Sequence, residues 1–344
     1  MFGRRKELKR QIRHCEKYIS VFEKTFNIEP DARWFVTHNK GAYCPNYNNP
    51  KTMQEKAGWI AKNYYQKSPL VYFSGNKVSS KLWFESKLGT DKYIVKTYGV
   101  YNSPDEIDWG ALPNSFVIKT SMGYQAKNVI LVKDKKKFNP RKHKKTLWAM
   151  TKSLHDGTPC PIVIEQLLEN FPETETLQIT DYKLFCFNGE PKFVRVHSMN
   201  KDAKSFGSYD KNMTYYSLPD YKKMDIIHAS VIRHPNPDAP RPDCLVEMIE
   251  VAKKLSKDLP FARIDLYLAD GKIYVGEVTI LGYVGYVVDP VEYDYMWGDM
   301  IKLPTQKEIE ALIEKDKKHI GGLIEKNKQV LERLSNFERM KALL

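Results

Sequence analysis

The segment over residues 261–280 limits the folds open to this 344-residue chain more than any other part of the sequence. It reads FARIDLYLADGKIYVGEVTI, in which two runs of alternating apolar and polar residues flank an Asp-Gly pair, a pattern typical of a β-hairpin. We predict a three-residue loop over 270–272, because that register places Asp265 directly opposite Glu277. A two-residue turn would separate these two carboxylates.

In the predicted register, one face of the hairpin is polar and the other faces a core. Two carboxylates directly opposite each other in a sheet repel, and a hard cation between them removes the repulsion. Mg²⁺ takes one or two carboxylates together with substrate phosphates, and a neighbouring arginine can hold a transferring phosphoryl group or an oxyanion. The alternative, a solvated face with an Arg–Asp pair, fits the hairpin alone equally well. The predicted polar face holds Arg263, Asp265, Glu277 and Thr279, and the predicted core face holds Ile264, Leu266, Leu268, Tyr274 and Val278.

Two other apolar strands end in charged residues. The run FVIK ends at Lys119, whose ammonium group can contact a nucleotide phosphate as a point charge. The run IVIE ends at Glu165 and continues into Gln166, and such a strand can present an acid and backbone groups to an adenine and its ribose. Each strand taken alone is equally typical of an ordinary strand with a charged end, so neither decides the function.

The composition excludes several classes of protein. Hydrophobic residues make up 42% and charged residues 28%, which excludes wholesale disorder, collagen-like repetition and a membrane bundle. The basic N-terminus lacks the apolar stretch of a secretory signal, and the five cysteines are scattered without a CxxC pair, so we expect a cytosolic, reducing compartment. A net charge of +13 favours anionic partners.

The remaining patterns predict an α+β arrangement of strand pairs and flanking helices. An Asn-Gly pair at 188–189 predicts a second hairpin, although its register, and with it the place of Arg195, is left open. The segment 133–145 carries eight basic residues against one aspartate. Such a run is a solvated surface or a binding surface for an anionic polymer.

Helices are predicted at both ends of the chain and before the first strands. A basic helix over about the first 24 residues either docks on the body of the protein or contacts an anionic membrane surface. Thr52 with Glu55 three residues later predicts a capping box. Two further predicted helices cover 77–88, ending at Gly89, and 305–344, weakened or broken at Gly321-Gly322.

The order of these residues resembles the ATP-grasp fold, and more specifically the TupA-like ATP-grasp proteins, a bacterial family linked to surface polysaccharide and teichuronopeptide synthesis. The resemblance covers roughly 48–304. Two stretches are specific together, namely DYKLFCFNGEPKFV and PFARIDLYLADGKIYVGEVT. Further stretches that carry it are NPKTMQEKAGW, NKVSSKLWFESKLG and LPNSFVIKT.

The resemblance implies an α+β, ATP-grasp fold in which two α+β subdomains clasp ATP. An N-terminal helical and irregular region would span 1–75, the ATP-grasp domain 76–304, and a C-terminal helical extension 305–344. Within the ATP-grasp domain, a smaller ATP-clasping subdomain would cover about 112–168 and a larger catalytic subdomain 169–304.

The family pattern also implies roles for ten residues. Three features depart from the pattern. Thr279 stands where many ATP-grasp enzymes have asparagine, the phosphate-covering loop over 121–127 has a single glycine, and the loop over 281–290 is bulkier than the glycine-containing loop expected there. Fewer glycines imply a stiffer loop. The implied roles are ATP phosphate contact for Lys77 and Lys119, the adenine and ribose hinge for Glu165, Gln166 and Leu168, a basic position in the nucleotide and catalytic site for Lys183, stabilisation of the transition state for Arg263, and Mg²⁺ ligation for Asp265, Glu277 and Thr279.

The implied activity is ATP-dependent ligation of a carboxylate to an amine through an acyl phosphate, with ATP and Mg²⁺ as cofactors. The expected partners are an anionic glycan, a sugar nucleotide or a lipid-linked sugar, with an amino acid or amine as co-substrate. The expected location is the cytoplasm, either free or in peripheral contact with the inner face of the membrane. No nucleic-acid-binding motif is present. The alternatives are a sugar-transferring enzyme of the same polysaccharide pathway and a non-catalytic basic protein that binds anions.

Overall fold

The computed structural model describes residues 46–122, 129–152, 160–168, 179–199, 211–228, 238–280, 288–289, 292–334 and 336–344. The predicted basic helix over the first 24 residues lies outside them. Most of the loops over 121–127 and 281–290 also lie outside them.

Capping side chains set the ends of several helices. Thr52 accepts from the Glu55 amide at 3.2 Å while the Glu55 carboxylate accepts from the Thr52 amide at 3.1 Å, which confirms the predicted capping box. Gly89 ends the next long helix in the left-handed conformation, at φ 72°, where a Cβ is disfavoured. The described α-helices are α1 (Met53–Asn63), α2 (Leu70–Ser74), α3 (Ser79–Leu88), α4 (Lys144–Met150), α5 (Leu245–Ser256), α6 (Glu292–Met300), α7 (Gln306–Lys326), α8 (Lys328–Leu331) and α9 (Phe337–Ala342).

The predicted C-terminal helix over 305–344 is divided in the structure, but not at Gly321-Gly322. Helix α7 runs through both glycines and ends at Lys326, and Asn327 separates it from α8. An interior glycine costs only about 1 kcal/mol relative to alanine. Burial of Ile309, Ile320 and Ile324 along one side of α7 outweighs that cost.

The strands form a four-stranded sheet in the order β1-β4-β2-β3, a six-stranded sheet in the order β11-β10-β5-β6-β7-β8, and a two-stranded ribbon of β12 and β9. All recorded pairings are antiparallel, and helices flank both larger sheets. The strands are β1 (Thr97–Tyr101), β2 (Phe116–Thr120), β3 (Val129–Val132), β4 (Ile162–Glu165), β5 (Thr180–Phe187), β6 (Glu190–Met199), β7 (Lys211–Ser217), β8 (Lys223–Met224), β9 (Ile227–His228), β10 (Phe261–Ala269), β11 (Lys272–Thr279) and β12 (Val288–Asp289).

The β10–β11 hairpin has the predicted pairing but not the predicted loop. Its turn has two residues, because Ala269 pairs with Lys272. The register then shifts by one residue at Gly276, a β-bulge that restores the pairing of Asp265 with Glu277. The prediction that Tyr274 faces the main core is wrong. Because of the bulge, Tyr274 lies opposite Tyr267 and packs in a separate small cluster with it.

The second predicted hairpin is confirmed at Asn188-Gly189, which connects β5 and β6 with positive φ angles of 50° and 82°. These angles are those that an Asn-Gly turn readily adopts. A register shift between Phe185 and Cys186 sets the remaining pairing, so that Lys183 lies opposite Arg195.

The alternation of side chains gives each large sheet two different faces. One face of the six-stranded sheet packs on α5 through residues such as Leu184, Val194 and Ile264. In the four-stranded sheet, Phe116 and Ile164 point to a separate core that includes Leu147 of α4. The opposite faces of both sheets carry the charged residues described next.

Candidate active site

A row of polar side chains crosses the six-stranded sheet on the face away from α5. Glu277 lies opposite Asp265, Asp265 opposite Lys183, Lys183 opposite Arg195, and Arg195 opposite Tyr215. Paired strands are about 4.8 Å apart, so these residues form one continuous row. The row contains three of the predicted site residues and extends two strands beyond them.

Asp265 is the centre of this row. It is only 2% exposed, and Arg263 donates to both of its oxygens, from Nε at 2.6 Å and from Nη2 at 2.8 Å. The Lys183 ammonium forms a second ion pair with the same carboxylate. Burial alone would raise the pKa of Asp265, but the two cations outweigh burial and hold the pKa below its ordinary value.

Asp181 extends this network and was not among the predicted site residues. Its carboxylate lies 2.7 Å from the Lys183 ammonium, which therefore bridges two aspartates. Burial raises the pKa of Asp181, and the neighbouring Asp265 raises it further against the effect of Lys183. Asp181 precedes Lys183 by two residues in an extended strand, so period-two alternation could have identified it.

Glu277 and Thr279 connect the network to solvent. The Thr279 hydroxyl donates to Glu277 at 2.9 Å and accepts from Arg263 at 3.0 Å, while the Glu277 side chain is exposed. The donor chemistry fits Mg²⁺, which takes one or two carboxylates plus phosphates. Asp265 keeps a lone pair beyond its three hydrogen bonds. Within the described ranges, no group of three or more His, Cys, Asp or Glu side chains converges as a metal cage.

A second charged cluster lies at the end of β4 in the four-stranded sheet. Glu165 is buried, at 5% exposed, and forms ion pairs with Lys119 of β2 and, at 2.7 Å, with Lys81 of α3. Burial alone would raise the pKa of Glu165, but the two ammonium groups lower it below its ordinary value. Lys81 also donates to the Val95 carbonyl and the Thr97 hydroxyl, both at 2.8 Å.

Lys81 is a second residue that sequence reasoning missed. It follows Lys77 by four residues, the spacing that places side chains on one side of a helix. The helix begins at Ser79, two residues later than the predicted start at 77. A search for charged residues at this spacing after Lys77 would have found it.

Lys77 lies near the end of β2. Its backbone amide donates to the Ser121 carbonyl at 2.8 Å, which holds it beside the end of β2. Burial and the nearby Lys119 lower the pKa of Lys77 to about 8, and Glu277 and Glu165 partly oppose that change. A carboxylate from each sheet is therefore near enough to Lys77 to affect its pKa.

The remaining predicted residues, Gln166 and Leu168, lie on the segment that leaves β4. The Gln166 amide donates to the Lys96 carbonyl at 2.9 Å. Leu168 is buried against Val95 and Ala269, which joins this segment to the β10–β11 hairpin. The structure thus places both residues beside Glu165, and their contact with a nucleotide stays a prediction.

Comparison with solved structures finds two ligases and a carboxylase at low identity. D-alanine–D-alanine ligase from Helicobacter pylori is 17% identical over 67% of this chain and 62% of its own, with a TM-score of 0.36. D-alanine–D-alanine ligase from Bacillus anthracis is 15% identical. The match covers 71% of this chain and 69% of the ligase, with a TM-score of 0.40. A biotin carboxylase from Campylobacter jejuni, in a β-γ-ATP complex, is 12% identical. The match covers 69% of this chain and 48% of the carboxylase, with a TM-score of 0.40.

This chain spans less than two thirds of the length of the H. pylori ligase. No curated protein matches the chain. The model of the TupA-like ATP-grasp family matches residues 55–302, which is most of the chain and includes every residue of the two charged clusters. The chain therefore belongs to the TupA-like ATP-grasp family.

Proposed function

We propose that this protein is an ATP-dependent carboxylate–amine ligase that attaches an amino acid or amine to an acidic sugar of a bacterial surface polysaccharide. One observation carries the proposal. The segment that follows Glu165 packs through Leu168 against Ala269 of the hairpin that carries Asp265 and Glu277, so the two charged clusters are neighbours. Family membership supports the ATP-dependent chemistry, and the geometry supports the division of roles described next.

The nucleotide would lie between the two sheets. Lys77 and Lys119 supply positive charge for its phosphates, while Glu165, Gln166 and Leu168 lie where the adenine and ribose would be held. Glu165 is oriented by Lys81 and Lys119 on either side, so its carboxylate is fixed before a ligand arrives. Such preorganisation reduces the entropy that binding would otherwise lose.

Glu277, Asp265 and the Thr279 hydroxyl would hold Mg²⁺, which supplies charge neutralisation for the phosphates when bound. Arg263 is held by Asp265 and Thr279 at distances of 2.6–3.0 Å, so its guanidinium group has a defined direction. We assign to Arg263 the stabilisation of negative charge as a phosphoryl group moves to the substrate carboxylate. Lys183, fixed between Asp181 and Asp265, maintains the geometry of this network.

The acid substrate would lie along the rest of the polar row. Arg195 is one strand beyond Lys183 and is buried, with the rings of Phe185 and Tyr215 at 5.7 and 5.9 Å from its guanidinium carbon. A positive charge at that position suits an anionic sugar, a sugar nucleotide or a lipid-linked sugar. Amide formation then needs only a positioned amine, because catalysis by positioning and charge neutralisation requires no covalent nucleophile.

Calorimetric titration with Mg-ATP tests the nucleotide site. We expect wild type to bind, Lys119→Met and Glu277→Gln to lose at least about tenfold in affinity, and Lys192→Met to bind as wild type does. Lys192 is a matched control, since it is an exposed lysine on β6, in the same sheet as the Asp265 network. Equal binding by all four proteins would contradict this nucleotide site.

A second experiment tests the reaction. Release of ADP is measured with uronic acids or uronic-acid sugar nucleotides, with amino acids, and with both together. A ligase releases ADP in substantial amounts only when both substrates are present, and mass spectrometry shows an amide that is heavier by the amine minus water. Sustained ADP release with the acid alone, or sugar transfer without ATP, would contradict the ligase assignment.

A further inference from the structure

The segment 133–145, here called the basic platform, lies outside the charged clusters of the active site. It carries eight basic residues and one acidic residue. Among the described residues, the one ion pair of this segment joins Lys137 to Asp134 at 3.8 Å. Seven of its cations have side chains at the surface, and all but Lys137 lack an ion pair to any described residue. These seven are Lys133, Lys136, Lys137, Arg141, Lys142, Lys144 and Lys145.

The basic platform is attached firmly to the protein. The Phe138 ring stacks on His143 at 4.9 Å and packs against Trp109 at 5.5 Å. The Lys135 ammonium donates to the carbonyls of Gly110 and Leu112. Asp134 and Asn139 also cap the two short 3₁₀ turns of the segment. The cations are therefore displayed on a fixed backbone, which lowers the entropic cost of binding a partner.

An exposed tryptophan continues the same surface. Trp148 lies on α4 and is 38% exposed, whereas its neighbours Leu147 and Met150 are buried. Lys144 and Lys145 precede Trp148 by four and three residues, so all three share the outer side of the helix. A tryptophan beside lysines is typical of surfaces that enter the interface of a bilayer, where the ring contacts both apolar and polar groups.

We propose that the basic platform and Trp148 form a docking surface for an anionic lipid bilayer. Charge alone would suit any anionic polymer, but an exposed indole beside the cations favours lipid. The surface is separate from the active site, because Leu147 and Met150 of α4 pack against the face of the four-stranded sheet that carries Ile118 and Ile164. Lys119 and Glu165 point to the other face, so a docked protein keeps its nucleotide site open.

Sedimentation with phosphatidylglycerol vesicles tests this proposal, with phosphatidylcholine vesicles as the neutral comparison. The full chain is compared with two triple variants of equal charge. Lys136→Glu, Arg141→Glu and Lys145→Glu alter the basic platform. Lys307→Glu, Lys318→Glu and Lys326→Glu alter exposed residues of α7. Thermal unfolding and Mg-ATP titration serve as controls, because they test whether both variants fold and keep the nucleotide site.

We expect the platform variant to bind anionic vesicles roughly 100-fold more weakly, since each cation near a bilayer contributes about fivefold. The α7 variant should lose less than about tenfold, because its three lysines lie outside the proposed docking surface and contribute only to the overall charge. The blue shift of tryptophan fluorescence on binding should fall in Trp148→Phe. Equal losses in the two triple variants, no vesicle binding, or soluble polyglutamate bound as tightly as vesicles with no Trp148 signal would each overturn the proposal.

Discussion

Replacement of Asp265 by asparagine removes the charge at the centre of the polar row and keeps its shape. The wild-type carboxylate is 2% exposed and receives three hydrogen bonds from Arg263 and Lys183. The variant leaves two cations facing an uncharged amide in a buried site. Removing one partner of a buried ion pair costs about 3–5 kcal/mol. We expect the lower end, because Lys183 keeps its ion pair with Asp181 at 2.7 Å.

The corresponding change in unfolding temperature follows from the length of the chain. A 344-residue protein gains unfolding entropy of about 0.7 kcal/mol/K, so 3–5 kcal/mol lowers the unfolding temperature by about 4–7 °C. Glu277→Gln is the matched control, since its side chain is exposed on the paired strand. It should change the unfolding free energy by no more than about 0.5 kcal/mol.

The assay is thermal unfolding by calorimetry without nucleotide or Mg²⁺, followed by Mg-ATP titration of the same proteins. Both variants should bind Mg-ATP weakly, but Asp265→Asn alone should be less stable. The double variant Asp265→Asn/Arg263→Met should recover part of the loss, because it removes the cation that donates to both oxygens of Asp265 and leaves the Lys183–Asp181 ion pair in place. An unfolding temperature of Asp265→Asn within about 1 °C of wild type, or an equal fall for Glu277→Gln, would refute the structural role assigned to Asp265.

Three further perturbations test other parts of the site. Mg-ATP binding near pH 8 should take up protons, because nearby phosphates favour the charged form of Lys77, whose pKa is about 8. Calorimetry in buffers of different ionisation enthalpy measures this proton uptake, and Lys77→Met should abolish it. Glu165→Gln should be less stable than wild type at neutral pH, and this difference should disappear as the pH falls below 4.5. The reason is that a carboxylate whose pKa is lowered in the folded state stabilises the fold above the pKa of the unfolded state, and this contribution is lost in acid. Thermal unfolding at several pH values measures the difference, and a difference that persists at low pH would contradict this prediction. Gly276→Ala places a Cβ 2.5 Å from the Tyr267 ring and should destabilise the protein by about 1–3 kcal/mol. The double variant Gly276→Ala/Tyr267→Ala should lose less stability than the sum of the two single variants, because the contact is absent. Additive losses would argue against that contact.

The β10–β11 hairpin shows how far local pattern extends. Alternation and the Asp-Gly pair correctly indicated two antiparallel strands and the pairing of Asp265 with Glu277. The pairing was nevertheless predicted from the wrong loop, because a bulge at Gly276 compensates for the two-residue turn. A bulge adds one residue to one strand and leaves no periodic signal beyond a single glycine. Tyr274 was assigned to the wrong face for the same reason.

Contacts between distant segments were beyond the reach of pattern analysis. Lys81 and Glu165 are separated by 84 positions, and their ion pair depends on how α3 packs beside β4. The place of Arg195 likewise depended on the register shift at Phe185 and Cys186. Helix α7 crosses Gly321-Gly322 because its buried isoleucines stabilise it, and the packing of a helix is not visible in its propensity.

The sequence by itself determined the local elements of this protein, which are the alternating strands, the Asn-Gly turn, the capping box at Thr52 and the charged strand ends. Each depends on residues a few positions apart, within reach of backbone geometry and side-chain period. Only the tertiary structure decided that the segment after Glu165 packs against the β10–β11 hairpin and that the basic platform lies on the opposite side of the four-stranded sheet from Glu165. Both results require two sheets to be placed relative to each other, and that placement arises from burial of apolar surface summed over the whole chain.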